Sequence, residues 1–218
     1  MEPTALVPIL DGVARWSVWN APRSLWFNGH LLRIGDTGVL IDPVPLGPGV
    51  ANAIASTART VTSWLCIVTN RDHERAAVDV QARFSARMLV SRGDAGQMSL
   101  RADDVVDDGD VVAGELQVVR VANAKTPGEI ALHWPARRLL VLGDAAIGRP
   151  AGGLSMLPDE KFADAAAARE GVVRLAALGV EIVLVGDGED ILAGGTNALA
   201  GLGGGPARAP GAPGVPGC

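Results

Sequence analysis

The order in which strand-like and helix-like segments follow one another is the feature that most constrains this chain. Short apolar runs separated by turn residues open the sequence, and between residues 48 and 90 the pattern changes to an alternation of helix and strand. The same order returns between residues 103 and 202. Two such halves predict an α/β fold in which two sheets pack face to face, with helices on the outside.

The periodicity predicts both strands and helices. The predicted strands are residues 24–27, 30–34, 39–41, 63–68, 88–90, 105–106, 116–121, 130–134, 138–142 and 182–185. The predicted helices are residues 48–58, 72–86, an Ala-rich segment from Pro158 to Leu178, and a weaker helix from Thr196.

Composition indicates a folded chain rather than a disordered one. Of the 218 residues, 48% are hydrophobic and 20% are charged, and the net charge is -5. An acidic chain of this kind lacks the clustered cations of a nucleic-acid-binding protein. It has no apolar stretch long enough to span a membrane, and its first residues lack the pattern of a signal peptide. With only Cys66 and Cys218, it has no disulfide framework, and we expect a cytoplasmic protein.

The chain divides into one folded unit and a tail. Residues 203–218 are mostly Gly and Pro, a composition that cannot bury enough apolar surface to offset the entropy lost on ordering. We therefore predict one domain over residues 1–202 and a disordered tail over residues 203–218.

Several predicted strands end in a carboxylate. Asp42, Asp144 and Asp187 each follow a buried strand, and a polar loop from Thr69 to His73 follows another. Ligand sites of α/β folds gather at the carboxyl ends of strands, so we expect these side chains to meet. Each also has a purely structural interpretation, because Asp commonly caps helices and closes turns.

Five short motifs occur in an order that resembles the metallo-β-lactamase superfamily. They are Val39-Leu40-Ile41-Asp42-Pro43, Thr69-Asn70-Arg71-Asp72-His73, Lys125-Thr126-Pro127-Gly128, Leu142-Gly143-Asp144 and Gly186-Asp187-Gly188. Each motif alone is weak, and their order makes the resemblance specific. The resemblance implies a four-layer αββα sandwich, a hydrolase of a small molecule, and zinc bound by histidines.

The chain departs from that family in its histidines. It has three His residues in all, and Asn70, Lys125 and Asp187 stand where the family has histidines. The resemblance therefore implies a degenerate site that holds at most one divalent ion, either Zn²⁺, Mn²⁺ or Fe²⁺, or none. The implied ligands are Asp72, His73, Asp144 and Asp187, with Asn70 and Asp42 adjacent.

The loop after Thr69 can be aligned with the family in two ways. If the pair Asp72-His73 is kept together, it ends a loop that is two residues shorter than in the family. Counting straight on from Thr69 instead assigns the four family positions to Asn70, Asp72, Glu74 and Arg75. Asp72 has a third interpretation, as the N-cap of the helix that follows.

Three functional hypotheses follow. In the first, the protein is a hydrolase of an ester, thioester or amide, with Asp72, His73 and Lys125 as catalytic residues beside one metal ion. In the second, it is a non-catalytic protein that binds an anionic small molecule in a metal-free cleft, where Lys125 pairs with carboxylates and Arg71 adds charge. In the third, His73 is a general base without metal. Lys125 can also be a solvated side chain, and the substrate and oligomeric state stay open.

Overall fold

The computed structural model describes residues 4–57 and 60–204, which form two β-sheets. The first sheet contains, in chain order, β1 (Val7–Leu10), β2 (Val13–Asn20), β3 (Leu25–Ile34), β4 (Thr37–Ile41), β5 (Ser63–Val68), β6 (Arg87–Ser91) and β7 (Asp104–Val106). Strands β1 to β4 are antiparallel neighbours, and β4 to β7 are parallel.

The second sheet has the order β12-β11-β10-β9-β8. Its strands are β8 (Val111–Val112), β9 (Leu116–Arg120), β10 (Ile130–Trp134), β11 (Leu139–Leu142) and β12 (Ile182–Val185). Only β11 and β12 pair in parallel within this described sheet, so their carboxyl ends lie at the same edge.

Helices cover the outer face of each sheet. They are α1 (Pro48–Thr57), α2 (Ala77–Phe84), α3 (Ala165–Val173) and α4 (Gly195–Gly201). Ile54 of α1 and Val80 of α2 pack with Leu40 on the outside of the first sheet. Val172 of α3 and Leu199 of α4 pack in the same way against the second sheet. The prediction of a four-layer αββα sandwich is confirmed.

The main core lies between the two sheets. Strand residues alternate between the faces of a sheet, so every second apolar side chain of β4, β5, β10 and β11 points to this layer. Ile41, Ile67, Leu132 and Val141 belong to it and are fully buried. This rigid layer holds the ends of the strands, and therefore the loops that leave them, in fixed positions.

The first meander is longer than predicted. Residues 24–27 and 30–34 were expected as two strands, but they form the single strand β3 across Gly29, and β1 and β2 precede it. Gly29 is required because the Trp16 indole packs on its backbone. A Cβ at this position would lie 2.5 Å from Trp16 Cζ2.

The helix predicted over residues 72–86 begins only at Ala77, and residues Arg71–His73 form a separate 3₁₀ turn. Arg75 has a positive φ of 33°, which interrupts the helical path between the two. The interpretation of Asp72 as the N-cap of this helix is wrong, because the N-cap is Ala76. The polar loop is therefore free of the helix and folds over the strand ends.

The Ala-rich helix also starts later than predicted. Pro158 is followed by a 3₁₀ turn, and α3 begins after Asp164, whose carboxylate accepts a hydrogen bond from the Ala167 backbone N–H at 2.9 Å. An acceptor at the N-cap satisfies a free N–H of the first turn, which explains this start. The predicted disordered tail lies outside the described residues from residue 205 onward. Within the described ranges, every helix is too short or too polar to cross a membrane.

Candidate functional site

Four loops meet at one edge of the sandwich. Asp42 follows β4, the segment 69–75 follows β5, Asp144 follows β11 and Asp187 follows β12. Gly143 and Gly186 let these loops touch, since a Cβ at Gly143 would lie 2.2 Å from Thr69 Oγ1 and one at Gly186 would lie 2.4 Å from His73 Cε1. The expectation that the strand-end side chains meet is confirmed for this edge.

Asp42 forms the base of the site. Its Oδ1 accepts a hydrogen bond from the Thr69 backbone N–H at 2.8 Å, and its Oδ2 accepts one from Thr69 Oγ1 at 2.6 Å. His73 Nδ1 lies 2.7 Å from the same Oδ2, and both side chains are buried. Burial alone would raise the pKa of Asp42, but the neighbouring His73 and its hydrogen bond hold that pKa below its ordinary value. Asp42 is therefore a fixed negative charge under His73.

Arg75 reaches into the same space. Its Nη2 pairs with Asp187 Oδ1 and lies 2.9 Å from His73 Nε2. Its Nη1 donates to the backbone carbonyls of Asn28 at 3.3 Å and Gly186 at 3.2 Å. The guanidinium also lies 4.5 Å from the centre of the Phe27 ring. The position of this guanidinium is thus set by contacts with five residues.

Lys125 approaches the site from the second sheet. Its Nζ lies 2.6 Å from Asp144 Oδ2 and 2.5 Å from Asp72 Oδ2. Burial acts to lower the pKa of Lys125, but the two carboxylates raise it overall. Burial likewise acts to raise the pKa of Asp144, and the charges of His73 and Lys125 lower it strongly. At neutral pH this pair is an ammonium and a carboxylate.

His73 lies between these groups. Its Nε2 is 3.4 Å from Asp144 Oδ1. Burial and the nearby Arg75 guanidinium lower its pKa, but the carboxylates of Asp42 and Asp144 outweigh them and raise the pKa of His73 to about 10. The two carboxylates therefore favour the protonated imidazole at neutral pH, against the opposing charge of Arg75 beside Nε2.

Glu129 is a further buried acid that the sequence analysis did not single out. It is fully buried at the start of β10, and its Oε1 accepts a hydrogen bond from the Ala145 backbone N–H at 3.1 Å. Its Oε2 has no hydrogen-bond partner among the described residues. Burial and the nearby Asp144 carboxylate raise the pKa of Glu129 well above its ordinary value, so it is a neutral acid.

Asp94 joins the loop after β5 to the turn that carries Lys125. Its carboxylate accepts hydrogen bonds from the Arg71 backbone N–H, from Thr126 Oγ1 and from the Gly128 backbone N–H, at 2.7 to 3.0 Å. A Cβ at Gly128 would lie 2.4 Å from the Asp94 nitrogen, so only glycine permits this approach. Asp94 therefore fixes where Lys125 stands relative to Asp72.

The structure places the predicted residues as follows. His73, Asp144, Asp187 and Lys125 come together, Asp42 lies beneath them, and Asp72 lies at the more exposed rim. The Asn70 side chain accepts a hydrogen bond from the Asp72 backbone N–H at 2.9 Å. Arg71, expected to add charge to the cleft, donates instead to Gln97, and Arg75 supplies the second basic side chain.

Both alignments of the loop describe part of this geometry. His73, favoured by keeping the Asp-His pair, contacts Asp144, and Arg75, the last position of the straight count, contacts Asp187. The straight count from Thr69 therefore already named Arg75 as a site position. The only signal for Glu129 is a charged residue directly before the apolar strand Ile130–Trp134.

A family model described as "Metallo-beta-lactamase superfamily" matches residues 10–204. The chain belongs to the metallo-β-lactamase superfamily. No curated protein matches it. Structures of metallo-β-lactamases agree with this chain in fold, and the one from Pontibacter korlensis gives a TM-score of 0.72 at 14% identity, covering 92% of this chain and 99% of that one.

Two further metallo-β-lactamases are similar to this chain over their whole length. The enzyme from Hirschia baltica gives a TM-score of 0.66 at 16% identity, covering 93% of this chain and 98% of that one. DIM-1 gives 0.69 at 12% identity, with the same coverage. At these identities the likeness shows the shared fold, and the site must be judged from this chain's own residues.

Members of this superfamily typically bind zinc, so the donors must be tested against a metal ion. One ligand atom each from His73, Asp144 and Asp187 lies within 4.8 Å of the others, a group that could hold one divalent ion by spacing and type. However, Arg75 already contacts His73 and Asp187, and Lys125 contacts Asp144. With the side chains in this arrangement, the group does not fit a metal ion, because Arg75 pairs with His73 and Asp187 and Lys125 pairs with Asp144, so the ion would meet two positive charges at its ligands.

Proposed function

We propose that this superfamily member binds a small molecule in a metal-free cleft, in which Lys125 and Arg75 carry the positive charge that a metal ion would otherwise supply. One observation carries the proposal, namely that the Lys125 ammonium lies between Asp144 and Asp72, at 2.6 and 2.5 Å. An ammonium is a donor only and repels a metal ion. The Arg75 guanidinium pairs with Asp187 and likewise repels a metal ion.

Charge balance supports this proposal. The carboxylates of the site are Asp42, Asp72, Asp144 and Asp187, and the cations are His73, Arg75 and Lys125. Since Glu129 is neutral, the cluster is compensated to within one charge by its own side chains. A divalent ion would have to displace at least one cation, and each displaced cation would lose a hydrogen-bonded carboxylate at low dielectric.

The rim of the cluster indicates what can bind. Lys125 and Asp72 keep 24% and 43% of their side-chain area exposed, while Asp144 and His73 are buried. Lys125 has three N–H donors and uses two of them on carboxylates, so one remains for an acceptor atom of a ligand. A small carboxylate, phosphate or carbonyl compound has the matching chemistry.

A second candidate is a hydrolase of a small molecule with at most one Zn²⁺, Mn²⁺ or Fe²⁺ ion. The convergence of His73, Asp144 and Asp187 within 4.8 Å favours it, provided that Arg75 can leave the group. The third hypothesis, a metal-free hydrolase with His73 as general base, is disfavoured by the raised pKa of His73, since a protonated imidazole accepts no proton.

Metal content separates the first two candidates. The protein is purified after growth with added Zn²⁺, Mn²⁺ or Fe²⁺, and metal per chain is measured by mass spectrometry. We expect well below one ion per chain in the wild type, and about one ion in the double variant Arg75→Ala/Lys125→Ala, lost again when Asp144→Ala is added. About one ion per wild-type chain, absent in Asp144→Ala alone, would instead contradict the metal-free proposal and favour the hydrolase candidate.

Ligand binding is tested by thermal shift with a panel of small carboxylates and phosphates. We expect a compound that raises the Tm of the wild type in a concentration-dependent way, with and without a chelator. The same compound should not shift Lys125→Ala from that variant's own baseline. A shift that requires added metal, or that persists in Lys125→Ala, would contradict the proposal.

A further inference from the structure

A second cluster of buried charge lies under the β2–β3 hairpin, away from the site described above. Strand register pairs Arg15 with His30 and Trp19 with Trp26, so Arg15, Trp26 and His30 share one face of the hairpin. This face looks toward the loop after β12, where Asp190 is buried. Arg15 Nη1 lies 2.8 Å from Asp190 Oδ2, and His30 Nε2 lies 3.4 Å from Asp190 Oδ1.

A cavity of about 400 Å³ opens between this hairpin face and the loop. Its walls include Val7, Arg15, Trp26, Glu189, Asp190 and Leu192. None of its lining residues belongs to the cluster around Lys125 and Arg75. The volume lies in the range of ordinary small-molecule sites, which are about 300–1,000 Å³.

Hydrogen bonds to the backbone hold the walls of the cavity in place. The Gly188 backbone N–H donates to the Trp26 carbonyl at 2.8 Å, and Asn28 Nδ2 donates to the carbonyls of Val185 and Gly188. Asp190 Oδ1 accepts from the Val185 backbone N–H at 2.9 Å. Loop and hairpin therefore hold one fixed geometry around the cavity.

The charges of the walls define what the cavity can take. The Asp190 side chain, only 2% exposed, contacts one nitrogen of Arg15. The Arg15 side chain is 28% exposed, and its guanidinium has further N–H donors. A guanidinium held from behind by a carboxylate is suited to bind a second carboxylate in front. Glu189 stands in the same wall and offers a negative group to a cation.

Of the remaining wall residues, Thr4 and Ser17 carry hydroxyl groups, and Val7, Trp26 and Leu192 are apolar. The Trp26 ring is 37% exposed and is held edge-on by Trp19, with 5.1 Å between ring centres. Val7 and Leu192 are also exposed at the cavity, at 44% and 56%. Apolar side chains left open around charged groups are typical of small-molecule sites.

We propose that this cavity binds a small zwitterion with an apolar side chain, of the α-amino acid class. Its carboxylate pairs with Arg15, its ammonium pairs with Glu189, and its apolar side chain lies against Trp26, Val7 and Leu192. The site is independent of the cluster at Lys125, so it stands whether or not the proposed function of that cluster holds.

The probes are L-phenylalanine and two fragments that each lack one charge, 2-phenylethylamine and 3-phenylpropionate. Binding to the full chain is measured by calorimetry, and the site is located by amide chemical shifts in ¹⁵N-labelled protein. We expect saturable binding of L-phenylalanine, with shifts around residues 15, 26 and 188–192. The affinity of each fragment should be lower than that of L-phenylalanine by a factor of about ten or more, because each fragment loses one charged hydrogen bond.

Variants test the two ionic contacts separately. Glu189→Gln should weaken the binding of L-phenylalanine about tenfold and leave the affinity for 3-phenylpropionate, which has no ammonium, unchanged. Arg15→Met should also weaken the binding of L-phenylalanine about tenfold, and it should leave the affinity for 2-phenylethylamine, which has no carboxylate, unchanged. Glu170→Gln on the exposed face of α3 is the matched control and should bind as the wild type does. Far-ultraviolet circular dichroism confirms that each variant is folded.

Three results would overturn the proposal. One is the absence of saturable shifts around the cavity at about 10 mM L-phenylalanine, a concentration well above the Kd of an ordinary small-molecule site. Another is a fragment that binds as tightly as L-phenylalanine, because one of the two charges would then contribute nothing. The third is unchanged affinity in both Glu189→Gln and Arg15→Met.

Discussion

The molecule contains two buried Asp-His pairs, each accompanied by an arginine, and they differ in how completely they are satisfied. In the first, His73 lies 2.7 Å from Asp42, and Arg75 lies beside it. In the second, His30 lies 3.4 Å from Asp190, without a hydrogen bond on either ring nitrogen within the described ranges. The first pair continues into a network of further carboxylates and cations, whereas the second ends at Arg15.

The difference shows how the same residue types produce two kinds of site. Both carboxylate oxygens of Asp42 accept hydrogen bonds, and the neighbouring cations contact carboxylates. The side chains of this network therefore satisfy one another and hold a rigid arrangement. Around Asp190, one carboxylate holds one partly exposed arginine, and the guanidinium still has donors to offer. In the first arrangement, cations contact the side chains that could hold a metal ion, and in the second, a partly exposed arginine borders a cavity.

Asp42→Ala should have the largest effect on stability. It leaves the charged His73 and both donors of Thr69 without their acceptor in a buried place, and breaking a buried pair by removing one partner costs about 3–5 kcal/mol. This loss of stability is measured as the change in the free energy of unfolding, from urea titrations followed by circular dichroism. A loss below about 1 kcal/mol would show that the network rearranges around the gap.

The second prediction concerns alkaline pH and has a definite sign. The pKa of His73 is raised to about 10 in the folded protein from 6.5, so its protonated form stabilises the fold fully below pH 6.5, and that stability is lost as pH rises through about 10. The stability difference between the wild type and His73→Gln should therefore shrink steadily from pH 7 to pH 10, as measured by urea titration at each pH.

His133→Gln is the control for this pH effect. Burial lowers the pKa of His133, so its neutral form is the stabilising one, and its contribution is lost on acidification rather than above pH 7. The difference between the wild type and His133→Gln should stay constant between pH 7 and pH 10. A constant difference for His73→Gln as well would show that His73 is neutral in the folded protein.

Asp190→Ala should destabilise the protein less than Asp42→Ala. It leaves the Val185 backbone N–H without an acceptor and Arg15 without its partner, but Arg15 is partly exposed and can turn to water. We expect a loss of about 1–3 kcal/mol in the same urea titration. A loss equal to that of Asp42→Ala would mean that the two pairs are equally enclosed, against the comparison above.

The sequence predicted the first Asp-His pair and its neighbours but not the second pair, for a physical reason. Strand ends meet at one edge of an α/β sheet, so Asp42, His73, Asp144 and Asp187 could be placed together from their positions after apolar runs. One of the two predictions for Lys125 placed its ammonium beside Asp144 and Asp187. It contacts Asp144 as expected, but its second partner is Asp72, and Asp187 pairs with Arg75.

The second pair could not be found in this way. His30 and Arg15 meet by cross-strand register in a hairpin, and Asp190 reaches them from a loop that lies 160 residues after His30 in the chain. No spacing rule connects such positions. Glu129 was missed because nothing in its neighbourhood along the chain reveals the burial and the nearby Asp144 carboxylate, which together raise its pKa.

Glu129→Gln should have the smallest effect of these changes, and it tests the charge assignment of the first network. Glu129 is a neutral acid beside Asp144, so an amide of the same shape keeps an acceptor for the Ala145 backbone N–H and removes no charge. We expect a change in unfolding free energy within about 1 kcal/mol at pH 7. A loss as large as that of Asp42→Ala would show that Glu129 is ionised, and the cluster would then carry two more negative charges than its cations balance.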